Sequence, residues 1–231
     1  ALLALAQWIA TEVGATVGYL TEAANTVGAQ VVKAQPQTQG MNAAQMLSGS
    51  LKGVLLLNVE PEFDCAAGAA AASGLNKADM VVTLSPFKTN MAFSDVLLPV
   101  APFTETSGTF VNAEARIQSF HAVVKPLGET RPAWKVLRVL ANLLGLPGFS
   151  DDSSQDVLGR ALAGVNDSGF VSASLLSNRT SAAVDVAAVD ALPVVASIYQ
   201  LDALVRRAGS LQLTADARRA AATPSVEEVT A

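Results

Sequence analysis

The hydrophobic residues of this chain fall into short continuous runs closed by turn residues, separated by stretches in which apolar positions recur at helical spacing. Gly53 to Asn58 (G-V-L-L-L-N), Asp79 to Leu84 (D-M-V-V-T-L) and Asp95 to Val100 are three such runs. An apolar run of strand length bounded by breakers reads as a buried strand, and the continuous run Gly53 to Asn58 as one covered on both faces of a parallel sheet. Between the first two, V-E-P-E-F-D-C leads into an alanine-rich segment read as a helix, with Asp64 as its N-cap and Gly74 at its end. Strand, helix, strand repeats predict βαβ units and hence an α/β fold, a parallel, doubly wound sheet flanked by helices. Ligands of such sheets sit beyond the carboxyl ends of the strands. The loops that fall there are Asn58 to Asp64, Ser85 to Asn90 and Ala101 to Thr109.

Outside the sheet, Leu2, Leu5, Ala6, Ile9 and Val13 predict an amphipathic helix, and Thr16 to Leu20 a short β-like segment. Ala23 to Gln30 (A-A-N-T-V-G-A-Q) reads as a helix start with a close-packing Gly28, in preference to a ligand crevice lined by Asn25 and Gly28. Lys33 to Gly40 is a polar surface loop. Pro132 to Leu144 is the clearest helix, with Trp134, Leu137, Ala141 and Leu144 on its core face and Gly145 and Pro147 as its stop. From Ser150 the pattern weakens, with a helix opening at D-D-S-S-Q and running to about Ala163, then loop-rich chain and a frayed end from Thr223. The pattern divides the chain into an α/β domain over 1–149 and a C-terminal extension over 150–231.

Composition narrows the function. A hydrophobic content of 51% over 231 residues supports a substantial core. A net charge of -5, with only 5% aromatic residues, disfavours a nucleic-acid surface, which needs clustered cations and stacking platforms. Mean hydropathy is +0.37. No window supplies the ~18–20 uninterrupted apolar residues of a membrane span, so direct membrane insertion is not expected. Cys65 and His121 are the single cysteine and histidine, too few for a zinc site or an iron–sulfur cluster within the chain. No initiator methionine is present and the chain opens inside a helix, which reads as a fragment of a longer polypeptide.

The most informative stretch is Phe93 to Trp134. It carries Ser94-Asp95-Val96-Leu97-Leu98-Pro99, then Glu105-Thr106-Ser107-Gly108-Thr109-Phe110-Val111-Asn112, then Glu114-Ala115-Arg116-Ile117-Gln118. Two short β segments joined around Ala113 and Glu114 are predicted here. Glu105 and Glu114 resemble an acid/base pair only superficially. No nucleophile accompanies them and His121 lies in a predicted strand, so they read as turn and surface carboxylates. Neither a G-x-x-x-x-G-K-S/T loop nor a G-x-G-x-x-G turn after a strand is present.

These motifs resemble the late part of the molybdopterin oxidoreductase superfamily. More narrowly, L-L-P-V-A-P-F-T-E-T-S-G-T-F-V-N and V-V-K-P-L-G-E-T-R-P-A-W-K-V-L-R resemble the large iron–sulfur subunit family of bacterial NADH-quinone oxidoreductase, respiratory complex I. A-A-N-T-V-G-A-Q and the segment R-R-A-G-S-L-Q-L-T-A-D-A-R-R are similar to other parts of the same family. The resemblance implies a catalytically silent, cofactor-free C-terminal portion. Iron–sulfur clusters are expected in an N-terminal part of the same polypeptide, with other peripheral-arm subunits as partners, on the cytoplasmic side of the bacterial inner membrane. An apolar face normally covered by the missing part is expected to be exposed. Alternatives are the pterin-pocket fragment of a molybdopterin enzyme such as a formate dehydrogenase, or a stand-alone binding module.

In the resembled molybdenum enzymes, the region from Glu105 to Arg116 lies near the pterin. Glu105, Thr109, Asn112 and Arg116 are therefore vestigial pterin-region candidates, with Thr109 and Asn112 expected to hold backbone groups and Arg116 to pair with Glu105 or Glu114. The family's E-G-R has Ala115 where glycine is usual. A left-handed backbone there would cost alanine about 1 kcal/mol, so a relaxed turn with negative φ at Ala115 is expected.

Overall fold

The computed structural model describes residues 2–18, 20–21, 23–36, 40–65, 68–163, 169–172 and 197–221. Its centre is a three-stranded parallel sheet of β1 (Gly53–Leu57), β2 (Met80–Ser85) and β3 (Val96–Pro99), in that spatial order. Leu56 lies opposite Thr83, and Thr83 opposite Leu97. Each strand falls within a residue or two of its apolar run, and the fold is α/β with a parallel sheet flanked by helices, as the pattern predicts.

Alternation along the strands sends Val54, Leu56 and Val81 to one face. There they meet Leu75 of α5 (Ala70–Leu75), Leu47 of α3 (Ala43–Leu47), and Phe93 from the crossover into β3. Both crossovers therefore cover the same face, the second as a 3-10 turn over Thr89–Ala92. On the opposite face Leu55, Leu57, Met80, Val96 and Leu98 are all exposed, and Leu84 alone is fully buried. The expectation that β1 is covered on both faces is not met among the described residues. Its sequence carries the apolar positions for two covers, but these crossovers supply only one.

The alanine-rich stretch also differs from its reading. Asp64 ends the single turn α4 (Pro61–Asp64) instead of opening α5, whose N-cap is Ala69. Gly74 lies inside α5, not after it. A Cβ at Gly74 would stand 1.8 Å from the Leu47 carbonyl oxygen, so the glycine permits α3 to lie directly on α5. Asn42 opens α3 with a capping box, its side chain accepting from Gln45 N–H while Gln45 Oε1 accepts from Asn42 N–H.

A second, smaller core forms beside a hairpin of β4 (Gly108–Val111) and β5 (Ile117–Phe120). Val111, Ala115 and Val171 are buried together, with Val27 and Val31 of α2 (Thr26–Val31) and Ile117 against them. The expected β-like segment at 16–20 is not a strand in its described residues, 16–18 and 20. In the N-terminal helix α1 (Leu2–Val13), Ala10 is buried and Leu5 half-buried, whereas Ala6, Ile9 and Val13 of the predicted stripe are exposed.

The hairpin leads to α6 (Ala133–Leu143), held to α7 (Ser154–Ala161) through the Asp151–Asp152 turn. Arg138 bonds Asp151 O and Asp152, and Arg160 bonds Asp151. Ala141 is buried on the predicted core face of α6, but Leu144 at its end is exposed. The tail contributes α8 (Ile198–Leu201), a 3-10 turn over Val205–Arg207, α9 (Gly209–Gln212) and α10 (Ala215–Ala221). The arginines of the 3-10 turn reach back to the loops that follow β1 and β2.

Candidate functional site

Five residues, 112–116, separate β4 from β5, and Asn112 organises them. Its Oδ1 accepts from the backbone N–H of Glu114 at 3.1 Å and of Arg116 at 2.9 Å, while Ala115 N–H donates to Asn112 O at 2.9 Å. Closing the chain this tightly forces Ala115 to φ +68, in the left-handed region. The expected negative φ is wrong: the turn is tight, and alanine sits where glycine would be easier. The strain of about 1–2 kcal/mol is partly offset because the Ala115 methyl is buried against Val111 and Val171.

The other candidates are each engaged within the chain. Glu105 Oε2 accepts from Leu127 N–H at 2.9 Å, pinning the loop after β5. Thr109 does not hold a backbone group as expected: it lies directly opposite Ser119 across the hairpin, and Thr109 Oγ1 and Ser119 Oγ share a cross-strand hydrogen bond of 2.9 Å. Arg116 forms no ion pair with Glu105 or Glu114; its guanidinium lies 5.0 Å from the centre of the Phe170 ring. The physical reason is direction: Asn112 holds the Arg116 backbone, and an antiparallel bridge to Phe170 aligns the side chain with that ring. Apart from the Asn112–Arg116 backbone bonds, no hydrogen bond or ion pair joins any two of the four candidates among the described residues.

Asn25 works beside them. Its Oδ1 accepts from Val111 N–H at 2.9 Å and its Nδ2 donates to Thr109 O at 3.4 Å, so it occupies the N-cap position of α2 while bonding to β4. A Cβ at Gly28 would lie 2.1 Å from Asn25 Oδ1, which makes Gly28 the close-packing glycine of the sequence reading.

A second cluster, unanticipated in composition, lies in the expected place for a ligand, beyond β1 and β2. Glu60, only 4% exposed, follows β1, and both its oxygens are taken. Arg206 Nε donates to Oε2 at 3.0 Å and Arg206 Nη2 also bonds Oε2, while Arg207 Nη2 bonds Oε1. Arg206 reaches Asp64 Oδ1 at 3.2 Å and the carbonyls of Gln200 and Leu201. Arg207 also bonds Thr89 Oγ1 and the Ala203 carbonyl. Each guanidinium is backed by a ring: Arg206 lies 4.8 Å from the Phe63 centroid and Arg207 3.9 Å from that of Phe87. Burial pushes the Glu60 carboxyl up, but hydrogen bonds to Arg207 and Arg206 and their charges prevail, and the group titrates below its ordinary value.

The loops 58–64 and 85–90 are legible in the sequence as strand-end loops; their partner is not, because Arg206 is 146 residues from Glu60. No one-dimensional signal singles the pair out, because Arg206-Arg207 between Val205 and Ala208 looks like Arg218-Arg219 between Ala217 and Ala220. Cys65 stands nearby with its thiol pushed up by burial and by Asp64, the opposite of an activated nucleophile. Among the described residues, no three His, Cys, Asp or Glu are grouped to hold a metal.

Residues 2–143 match the family model of molybdopterin oxidoreductases. The chain belongs to that family, and its fold is that of an oxidoreductase domain. It is 47% identical over 68 residues to a protein of Staphylococcus aureus strain bovine RF122 / ET3-1 provisionally named a formate dehydrogenase, a match covering 29% of this chain and 7% of that protein. A similarly named protein of Staphylococcus aureus strain USA300 is 40% identical over 74 residues, covering 32% of this chain and 8% of the relative. The chain thus spans less than a tenth of these curated relatives. A pterin needs several unpaired donors and acceptors facing one space. Here Glu105, Thr109 and Asn112 are spent on Leu127, Ser119 and their own turn, so these side chains as arranged do not fit one.

Proposed function

We propose that this chain is a cofactor-free structural portion of the iron–sulfur electron-transfer subunit of an NADH:quinone oxidoreductase, built on the molybdopterin oxidoreductase fold. The observation that carries this reading lies at the carboxyl ends of β1 and β2, the end of an open α/β sheet at which ligands bind: Arg206 and Arg207 of the chain's own tail take up both oxygens of Glu60 there. The hairpin candidates Glu105, Thr109 and Asn112 support the same reading, since each bonds within the chain. Under this reading the clusters that carry electrons from NADH toward quinone lie elsewhere in the parent polypeptide.

The partners would be that iron–sulfur portion and neighbouring peripheral-arm subunits. The open sheet face of Leu55, Leu57, Met80, Val96 and Leu98 supports such an association, because a parallel sheet is stable in water only when both faces are covered. The same reading puts the chain at the periphery of the membrane on its cytoplasmic side; among the described residues no helix is long and apolar enough to cross a membrane.

The provisionally named formate dehydrogenases favour a second reading, in which the chain completes the pterin pocket of a molybdenum enzyme. Metal and pterin analysis of the full-length parent separates the two. The first reading expects iron without molybdenum, and loss of NADH:quinone activity when the parent gene is deleted. Stoichiometric molybdenum with formate-dependent dye reduction overturns it in favour of the second.

A further inference from the structure

The geometry points to a guanidinium-binding site at the carboxyl ends of β1 and β2, occupied in cis by Arg206 and Arg207. The site is built on the sheet. Glu60 is buried, its backbone N–H donates to Asp64 Oδ2 at 2.6 Å, and Asn90, itself 2% exposed, donates to Val59 O at 2.9 Å. These bonds hold the strand-end loop in place without the tail. Phe63 and Phe87 supply two ring faces, and Thr89 a neutral acceptor.

Two carboxylates on one side and two aromatic faces beside them suit a planar, delocalised cation. They do not suit an ammonium, which forms neither the forked bonds nor the stacking. Arg206 uses every nitrogen of its guanidinium: Nε and Nη2 on Glu60, Nη1 and Nη2 on Asp64, and Nη1 again on two tail carbonyls. The tail around it is shaped to present the pair. Asp202 Oδ1 accepts from the N–H groups of Leu204 and Val205, starting the 3-10 turn, and Gln212 Nε2 donates to the carbonyls of Tyr199 and Val205. The charges balance, two cations against Glu60 and Asp64, so the crevice is neutral when the tail is seated and acidic when it leaves.

The tail is thus a latch. Seated, it closes the strand-end crevice; displaced, it exposes an acidic, aromatic-walled receptor for an arginine-bearing peptide. This inference deepens the cofactor-free reading, which takes the crevice as closed.

The test uses the full chain carrying R206A and R207A, with a fluorescently labelled synthetic peptide of residues 197–212 as probe. The double variant is expected to bind the peptide at least tenfold more tightly than the wild-type chain does. Replacing both peptide arginines by lysine, or adding E60Q to the variant, should weaken binding at least tenfold. Equal binding to wild type and variant, or by the lysine peptide, overturns the site. Should the double variant fail to fold, amide hydrogen exchange on E60Q alone decides: residues 198–212 should exchange at least tenfold faster than in wild type, and unchanged protection overturns the latch. Molybdenum in the parent together with a protected tail would sink the cofactor-free reading and leave the latch standing.

Discussion

Gly74→Ala sets two physical effects against each other, and the structure says which prevails. Taken as a helical position alone, the change is favourable, since alanine is better than glycine in a helix by about 1 kcal/mol. Gly74, however, faces α3 at a distance that leaves no room. The added Cβ would lie 1.8 Å from Leu47 O and 2.8 Å from the Leu47 carbonyl carbon, and both are backbone atoms that no rotamer change can move. Ordinary van der Waals contact begins at 3.4 Å, so α5 and α3 must separate by well over an ångström. Leu75, 2% exposed, and Leu47 would then part from Leu56 and Val81, in the cluster that covers one face of the sheet. Overpacking of this kind costs about 1–3 kcal/mol, and the loosened contacts add to it. A net loss of about 1–3 kcal/mol follows. It should be visible as a lower urea midpoint at unchanged slope when the purified chain is unfolded and followed by circular dichroism. A midpoint equal to or above wild type would refute the α3–α5 contact and return Gly74 to an ordinary helical site.

Other consequences are as direct. Glu60→Gln removes one charge from a buried, bonded cluster and should cost about 3 kcal/mol. Because the folded Glu60 titrates below its ordinary 4.5, the difference from wild type should be full above that pH and shrink as pH falls through the folded value. A difference that does not depend on pH in thermal melts would contradict this. Asn25→Ala strips the buried Val111 N–H of its acceptor. It should destabilise by about 1–3 kcal/mol, with Asn25→Asp milder; equal urea midpoints for both would reject the role of Oδ1. Ala115→Gly relieves about 1–2 kcal/mol of left-handed strain but loses a buried methyl worth about 0.8 kcal/mol and adds unfolded-state freedom worth about 0.4–1 kcal/mol. It should fall within about 1 kcal/mol of wild type, whereas Ala115→Val should fall well below, as chemical denaturation will show. The apolar face carrying Leu55 and Leu57 should make the purified chain self-associate in sedimentation velocity, and Leu55→Lys with Leu57→Lys should abolish that without altering the fold; a monomeric wild type, or association unchanged in the variant, would contradict this.

Much of the architecture is legible in the sequence because it depends on local pattern. The three apolar runs form β1, β2 and β3, Pro132 and Gly145 bracket α6, and Ser153 with Asp156 opens α7 through a capping box. Ala115 departs from its sequence reading for a physical reason. Its residue type disfavours positive φ, but the turn is set by Asn112, whose side chain gathers two N–H groups and leaves the left-handed region as the conformation that closes five residues. Gly74 departs because a glycine that ends a helix and one that admits a neighbouring backbone look the same in one dimension.

The sequence by itself determined the three strands of the sheet, the α/β class, the helix after Pro132 and the loops that fall at the strand ends, since these follow from hydrophobic period and turn chemistry. Only the tertiary structure decided how those loops are used. Glu60 and Arg206 are 146 positions apart, and nothing local requires that they meet. A buried carboxylate must find a cation, but which of the chain's fifteen Lys and Arg residues answers it depends on where the tail is brought by packing. The same holds for the sheet: the strands declare two apolar faces, and only the path of the crossovers reveals that both connections cover the same one, leaving Leu55, Leu57, Met80, Val96 and Leu98 of the other exposed among the described residues.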